Sequence, residues 1–225
     1  MEEPRREYLE PGLIIRSDDP QVAELAAALV TGRNGAPEKA AALFYWVRDN
    51  IQYNPYAPFF LPEHYWPVST LKRGFGYCVQ KSALLAALAR QAGLPARLVF
   101  ADIINHRFSE KLLAYMGTNL FVYHGYVEMF VEGKWVRCTP SFERPLCDKL
   151  DIYPVEFDGR ADAVLHPLDR RGRPHIEYVR HIGVAADVPL EDILAAWERT
   201  YSKERVEEWK AAFLAGRADP GLRPD

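Results

Sequence analysis

Three cysteines in 225 residues, with no Cys-x-x-Cys pair, leave neither a disulfide framework nor a paired-thiolate metal motif. Neither sign of charge dominates. Lysine and arginine number 28 against 31 aspartates and glutamates, a net charge of -3, so there is no basic footprint for nucleic acid. No apolar run reaches the length of a membrane span, and the opening MEEPRREYLEP is too charged and proline-broken for a signal peptide. There is no P-loop, no dinucleotide fingerprint and no acidic calcium loop. These absences predict a cytoplasmic protein with no cofactor or metal and no nucleic-acid or membrane partner. With 48% hydrophobic residues, the 225-residue chain has enough apolar material for one domain over 1–225.

The chain is organised around Gly74 to Val99, GFGYCVQKSALLAALARQAGLPARLV. From Val79 to Ala92 it is apolar on nearly every side, the mark of a buried helix. Gly93 stands at a helix C′ position and Pro95 cannot continue the helix. Cys78 lies in the first turn, behind Gly74 and Gly76. A helix N-terminus carries partial positive charge and favours a thiolate, which predicts a lower pKa for Cys78 than for Cys138 or Cys147. A buried free cysteine is equally the ordinary small hydrophobe of a core.

Upstream, Asp19-Pro20 reads as the N-cap and first position of a helix ending near Thr31-Gly32. A second helix starts at about Pro37, with Ala40, Leu43, Phe44, Val47 and Ile51 on one stripe. Tyr53 to Tyr77 reads as a long aromatic loop that either walls the cleft beside Cys78 or packs as coil over the core. Trp66 and Tyr77 in it are candidate substrate contacts.

Downstream, Ala96–Ala101 reads as a strand, and Asp102–Leu120 as an excursion holding a short helix capped by Ser109. Tyr123–Val131 and Lys134–Thr139 form a hairpin turning at Glu132-Gly133. A two-residue turn pairs Val131 with Lys134 and Glu128 with Arg137. It also puts Tyr126 opposite Thr139 and His124 opposite Ser141. Further on, Ile152–Phe157 and Pro174–Ile182 are candidate strands. Glu191–Ala215 is a helix with Leu194, Trp197, Tyr201, Trp209 and Phe213 on one side, docked on the core or on a second copy in a homodimer. Residues 216–225 read as a disordered tail.

The cysteine helix with its Gly-Leu-Pro end, HGYVEMF at His124–Phe130, GKWVRCTP at Gly133–Pro140 and the upstream ALFYWVRDNIQY together resemble the transglutaminase-like superfamily of papain-type thiol enzymes. The resemblance covers residues 37–142 as a core, with 143–215 as a C-terminal extension. It implies an α+β fold in which the cysteine-bearing helix packs on an antiparallel sheet, without a metal. It implies Cys78 as nucleophile and His124 as base. The family's tryptophan two residues past the histidine is Tyr126 here, a third candidate substrate contact. The family's aspartate before a proline is Thr139. A third group holds the imidazole tautomer and stabilises its cation. The hydroxyl of Thr139 is one candidate for that role. Asp102 is the other, since antiparallel pairing of the two strands brings it towards His124. The alternative use of Asp102 is to cap the excursion that follows it.

The expected chemistry is thiol-dependent acyl transfer or hydrolysis of a peptide or small amide or ester through a Cys78 thioester. The alternative is a catalytically silent peptide-binding module. Zinc on Cys78, His106 and His124 matches by ligand type and lacks the paired spacing.

Overall fold

The structure is a computed structural model that describes residues 4–216. Helix α1 (Pro20–Val30) opens as the sequence predicts, with the Asp19 carboxylate accepting from Gln21 N–H and Pro20 in the first turn. Helix α2 (Ala36–Asn50) buries the whole predicted stripe from Ala40 to Ile51. Strands β1 (Gln52–Tyr53) and β2 (Phe75–Gly76) pair in parallel and close off the aromatic segment between them. That segment is not plain coil. It contains helix α3 (Pro67–Arg73), which ends on Gly74 at φ 72°.

Helix α4 (Cys78–Gln91) is buried from Cys78 to Arg90, and Gly93 leaves it at φ 78°. Its charged residues are matched to carbonyls, as burial demands. Lys81 Nζ donates to the carbonyls of Arg48 and Ile51 and so ties α4 to the end of α2. Desolvation pushes that amine down to about 7. Arg90 donates to the carbonyls of Glu10, Ala96 and Ala186.

Helix α4 packs on a four-stranded sheet made of β3 (Ala96–Asn105), β4 (Leu120–Val131), β5 (Lys134–Cys138) and β6 (Ile176–Ala185), in the order β5-β4-β3-β6. Every pair in it is antiparallel. The hairpin has the expected register, Val131 with Lys134 and Glu128 with Arg137. Glu128 takes both Arg137, at 3.0 Å, and Arg97, at 2.7 Å. Helix α5 (Glu110–Met116) is capped by Ser109 as expected.

Four expectations change. Strand β3 runs on to Asn105, because Asp102–Asn105 all find partners on β6 and Ile103 and Ile104 also pair with β4. Asp102 is therefore a strand residue and caps nothing. Helix α6 (Arg144–Leu150) had no counterpart in the sequence reading. Ile152–Phe157 has no regular secondary structure and joins no sheet. Its polar backbone serves α2 instead, with Val155 O accepting from Arg48 Nη1 and Phe157 N–H donating to Tyr45 Oη. The long C-terminal helix is two, α7 (Leu190–Tyr201) and α8 (Lys203–Leu214), hinged at Ser202 with φ 75°. Folding back lets Trp209 pack on Trp197 and Tyr201. The expected tail falls, from 217 onward, outside the described residues.

Candidate active site

Strand β5 stops at Cys138, opposite Val127, so the stretch of β4 before Val127 has no strand on that side. Helix α4 takes the place of one. Gly125 O accepts from Ser82 Oγ at 3.0 Å, and Gly125 N–H is directed at the Cys78 sulfur. The approach is close enough that a Cβ on Gly125 would lie 3.1 Å from Val79 Cα. A glycine inside a strand often marks such an approach, so the HGY motif carried this signal. The N–H groups of Gly125, Val79 and Cys78 all favour the thiolate, but burial outweighs them and pushes the Cys78 thiol up to about 11. Cys147 is pushed up to about 12 and Cys138 well above the ordinary thiol value, both by burial. Burial thus raises all three thiols, and Cys78 is not the low-pKa thiol that the helix dipole alone predicts.

His124, next to Gly125, is buried, and its Nε2 has no hydrogen-bond partner. The ring stacks on Tyr126 at 6.1 Å and meets Tyr178 edge-on at 6.2 Å. Burial alone pushes the imidazole down to about 3, so it is neutral at ordinary pH. Cys78 and His124 border one cavity of about 340 Å³, together with Tyr53, Ser141 and Phe142. Ser141 Oγ is buried and also lacks a partner. The sequence reading placed Ser141 opposite His124 without assigning it a role.

The two candidates for orienting His124 are used differently. Thr139 Oγ1 is within reach of the Tyr178 phenol but has no hydrogen bond of ordinary geometry. Asp102 has both oxygens taken. Oδ1 accepts from Tyr123 N–H at 3.0 Å, and Oδ2 pairs with Arg180 Nε at 2.7 Å. Asp102 therefore holds the backbone before His124 rather than its ring. That backbone is strained, with Tyr123 at φ 56° beside an irregularity in the β3–β4 register at Asp102. Tyr201 Oη, from α7, accepts from Val122 N–H at 3.0 Å and donates to Leu120 O at 3.1 Å. Surrounding structure of this kind is what keeps a strained residue in place. No local pattern announced Tyr201 or Arg180, whose positions depend on the extension folding back.

Of the predicted substrate contacts, Tyr77 borders one of the two cavities described beside Cys78. It lines a second, smaller one of about 50 Å³ with Trp197, Tyr201 and Trp209. Trp66 borders neither of these two cavities. It precedes α3, and Arg16 stacks over its ring at 4.6 Å. Tyr126 packs with Val99 and Ala101 in a separate small cluster beneath the imidazole. The three-ligand zinc idea also fails on geometry. His106 faces Glu177 at 3.7 Å, and no three potential metal ligands come together among the described residues.

Comparison with known proteins bears on this arrangement. The family model for the transglutaminase-like superfamily core matches residues 23–140, just over half of the chain. The chain belongs to that superfamily. Among solved structures, a "putative cysteine protease" from Cytophaga hutchinsonii is 18% identical and superposes with a TM-score of 0.50. The alignment covers 80% of this chain and 46% of that one. The periplasmic domain of TgpA from Pseudomonas aeruginosa gives 21% identity and a TM-score of 0.41, over 59% of this chain and 45% of that one. The chain thus spans less than half the length of these structures, and no curated protein matches it. No helix among the described residues is long and apolar enough to cross a membrane.

Within the superfamily's α+β core, the Thr139 and Asp102 roles separate experimentally. Replacing Thr139 with valine removes an unpartnered buried hydroxyl at nearly constant volume, so stability in urea is expected to stay within about 1 kcal/mol or rise. Replacing Asp102 with alanine strands the Tyr123 N–H and is expected to cost about 1–3 kcal/mol. The same substitution should lower the rate of Cys78 alkylation, which Thr139→Val leaves alone. A large loss with Thr139→Val and none with Asp102→Ala would reverse the assignment.

Proposed function

We propose that this protein is a thiol-dependent acyl-transfer enzyme in which Cys78 is the nucleophile and His124 its base. The observation that carries the reading is that both side chains border one cavity, and the backbone N–H groups of Gly125, Val79 and Cys78 favour the thiolate there. Attack of Sγ on an amide or ester carbonyl would pass the thiol proton to His124 and put negative charge on the carbonyl oxygen. N–H groups at the start of α4 are suitable donors to that oxyanion. The imidazolium then returns the proton to the leaving amine or alcohol, and a thioester remains for water or an amine to resolve. The neutral third position, Thr139, does not preclude this, since a Cys-His pair works with an uncharged third member in papain-like enzymes.

Because burial keeps both groups neutral at rest, the proton moves only as the bond forms. This gives a pH test with a definite sign. If His124 is the base, the rate of Cys78 alkylation by iodoacetamide is flat between the imidazole value of about 3 and the thiol value of about 11. In His124→Ala only free thiolate reacts, so the rate climbs about tenfold per pH unit, and near neutrality it falls about 10²-fold below wild type. Peptide mapping should find Cys78 labelled before Cys147 and Cys138. Identical profiles for wild type and His124→Ala would remove the base and favour the silent binding module.

A further inference from the structure

The two cavities that meet at Cys78 differ in kind. The larger carries charged groups on its wall, Arg107 and Lys149 among them. The smaller, of about 50 Å³, has no charged side chain on its wall among the described residues. Both are bordered by Tyr53, Tyr56, Phe121 and Cys78, so the smaller one begins at the sulfur. Packed interiors keep few voids larger than a water molecule. This one has the space of roughly three to five waters. Its aromatic walls hold one another. Tyr115 stacks on Trp209 at 5.0 Å, Tyr56 meets Tyr115 edge-on at 4.8 Å, and Trp197 meets Trp209 edge-on at 6.2 Å. Two of its phenols are engaged within the protein, Tyr77 Oη donating to Tyr65 Oη at 2.6 Å and Tyr201 Oη to Leu120 O at 3.1 Å. Burial pushes the phenols of Tyr53, Tyr77 and Tyr201 up, so none of them is anionic near neutral pH. Trp197 Nε1, an uncharged donor, is buried without a partner. Trp197, Tyr201 and Trp209 come from α7 and α8, well past residue 140, where the family match ends.

We propose that the smaller cavity is the subsite for the acyl side chain, that it selects a short, branched, uncharged group of about four carbons, and that α7 and α8 set its size. The inference rests on the proposed role of Cys78 and adds the substrate class. A charged group entering here leaves water and meets no opposite charge, which is costly. Aromatic faces attract a cation when they are free. Here one face of Trp209 is covered by Tyr115, stacked at 18°, and the Trp197 N–H presents its positive end. A compact hydrocarbon meets neither obstacle and gains by leaving water. A long straight chain or a phenyl ring exceeds the space.

The test follows acylation of Cys78 by 4-nitrophenyl esters, with the full chain. The sulfur attacks the ester carbonyl, a C–S bond forms and the C–O bond breaks. Nitrophenolate leaves, and the thiol proton passes to His124 and then to solvent. The acyl groups are acetyl, 3,3-dimethylbutanoyl, its cationic isostere trimethylammonioacetyl, the anionic sulfoacetyl, and 3-phenylpropanoyl. Each rate is divided by that of the same ester with free N-acetylcysteine, which removes intrinsic reactivity. The 3,3-dimethylbutanoyl ester should then exceed acetyl by about tenfold or more, and both charged esters by at least as much. Two variants locate the subsite, each read as a ratio within one protein, with circular dichroism confirming the fold. Ala57→Leu adds bulk to the wall and should bring 3,3-dimethylbutanoyl down towards the acetyl rate. Trp197→Ala widens the cavity and should raise 3-phenylpropanoyl relative to 3,3-dimethylbutanoyl by about tenfold. An acetyl or charged preference in wild type, or unchanged ratios in a folded variant, would overturn the inference and leave Cys78 a nucleophile. Absence of any acyl adduct on Cys78, with every ester, would overturn the nucleophile and the inference together.

Discussion

Cys78→Ser is expected to lower turnover of an activated acyl donor, such as a nitrophenyl ester, by at least about 10³-fold while leaving substrate binding intact. Serine keeps the shape of the side chain and can still accept from the N–H groups of Gly125 and Val79 that surround the sulfur. What it lacks is nucleophilicity. A hydroxyl needs far stronger assistance than a thiol, and His124 lacks a carboxylate partner to strengthen it as a base. The folded state should hardly notice, within about 1 kcal/mol by urea unfolding. Intact-protein mass spectrometry completes the measurement. The wild type should trap an acyl adduct on Cys78 and the serine variant should trap none. Unchanged turnover in Cys78→Ser would remove the thioester from the mechanism.

Gly125→Val is expected to have the largest effect of any substitution outside the dyad, on stability and reactivity together. The added Cβ would lie 3.1 Å from both Val79 Cα and Val79 Cγ2, and 3.5 Å from Phe100 Cε1. The first of these atoms is helix backbone and cannot rotate away. Helix α4 must retreat from β4, and the Gly125 contacts to Ser82 Oγ and the Cys78 sulfur open with it. Overpacking of this kind costs about 1–3 kcal/mol, and in a chain of this size each kcal/mol lowers Tm by about 2–4 °C. Cys78 alkylation should slow at the same time, because sulfur and imidazole are held on opposite sides of this contact. Gly125→Ala should show the same losses at smaller size. Full stability and reactivity in Gly125→Val would mean that the close approach of α4 to β4 does not set the site.

Much of the frame was legible because it is written in short-range patterns. The apolar run from Val79, its Gly93-Leu94-Pro95 ending and the stripe from Ala40 to Ile51 each reflect helical periodicity within one element. The hairpin register followed from a two-residue turn, since strand side chains alternate and a turn of given length admits one pairing. Trp66 lies away from the two cavities beside Cys78 for a long-range reason, because it heads α3 and is in contact with Arg16. Ser202 conceals the break between α7 and α8. It is an ordinary residue in a helical pattern, held at φ 75° by the packing of two aromatic faces rather than by a glycine or proline.

The sequence by itself determined the superfamily core, the order of its elements and the placing of Cys78 at the head of a buried helix. Tertiary structure alone decided the chemistry around that sulfur. The helix N-terminus argues for a low thiol pKa, yet full burial argues the other way and wins, since desolvation depends on every neighbour and none of them is local. Tertiary structure also decided that Asp102 serves Tyr123 and Arg180 instead of His124, through a strand register and a distant β6 that no spacing in the sequence encodes. The charge of the cavity has the same origin. Arg107 and Lys149 lie far apart in the chain, and only folding sets them around one space.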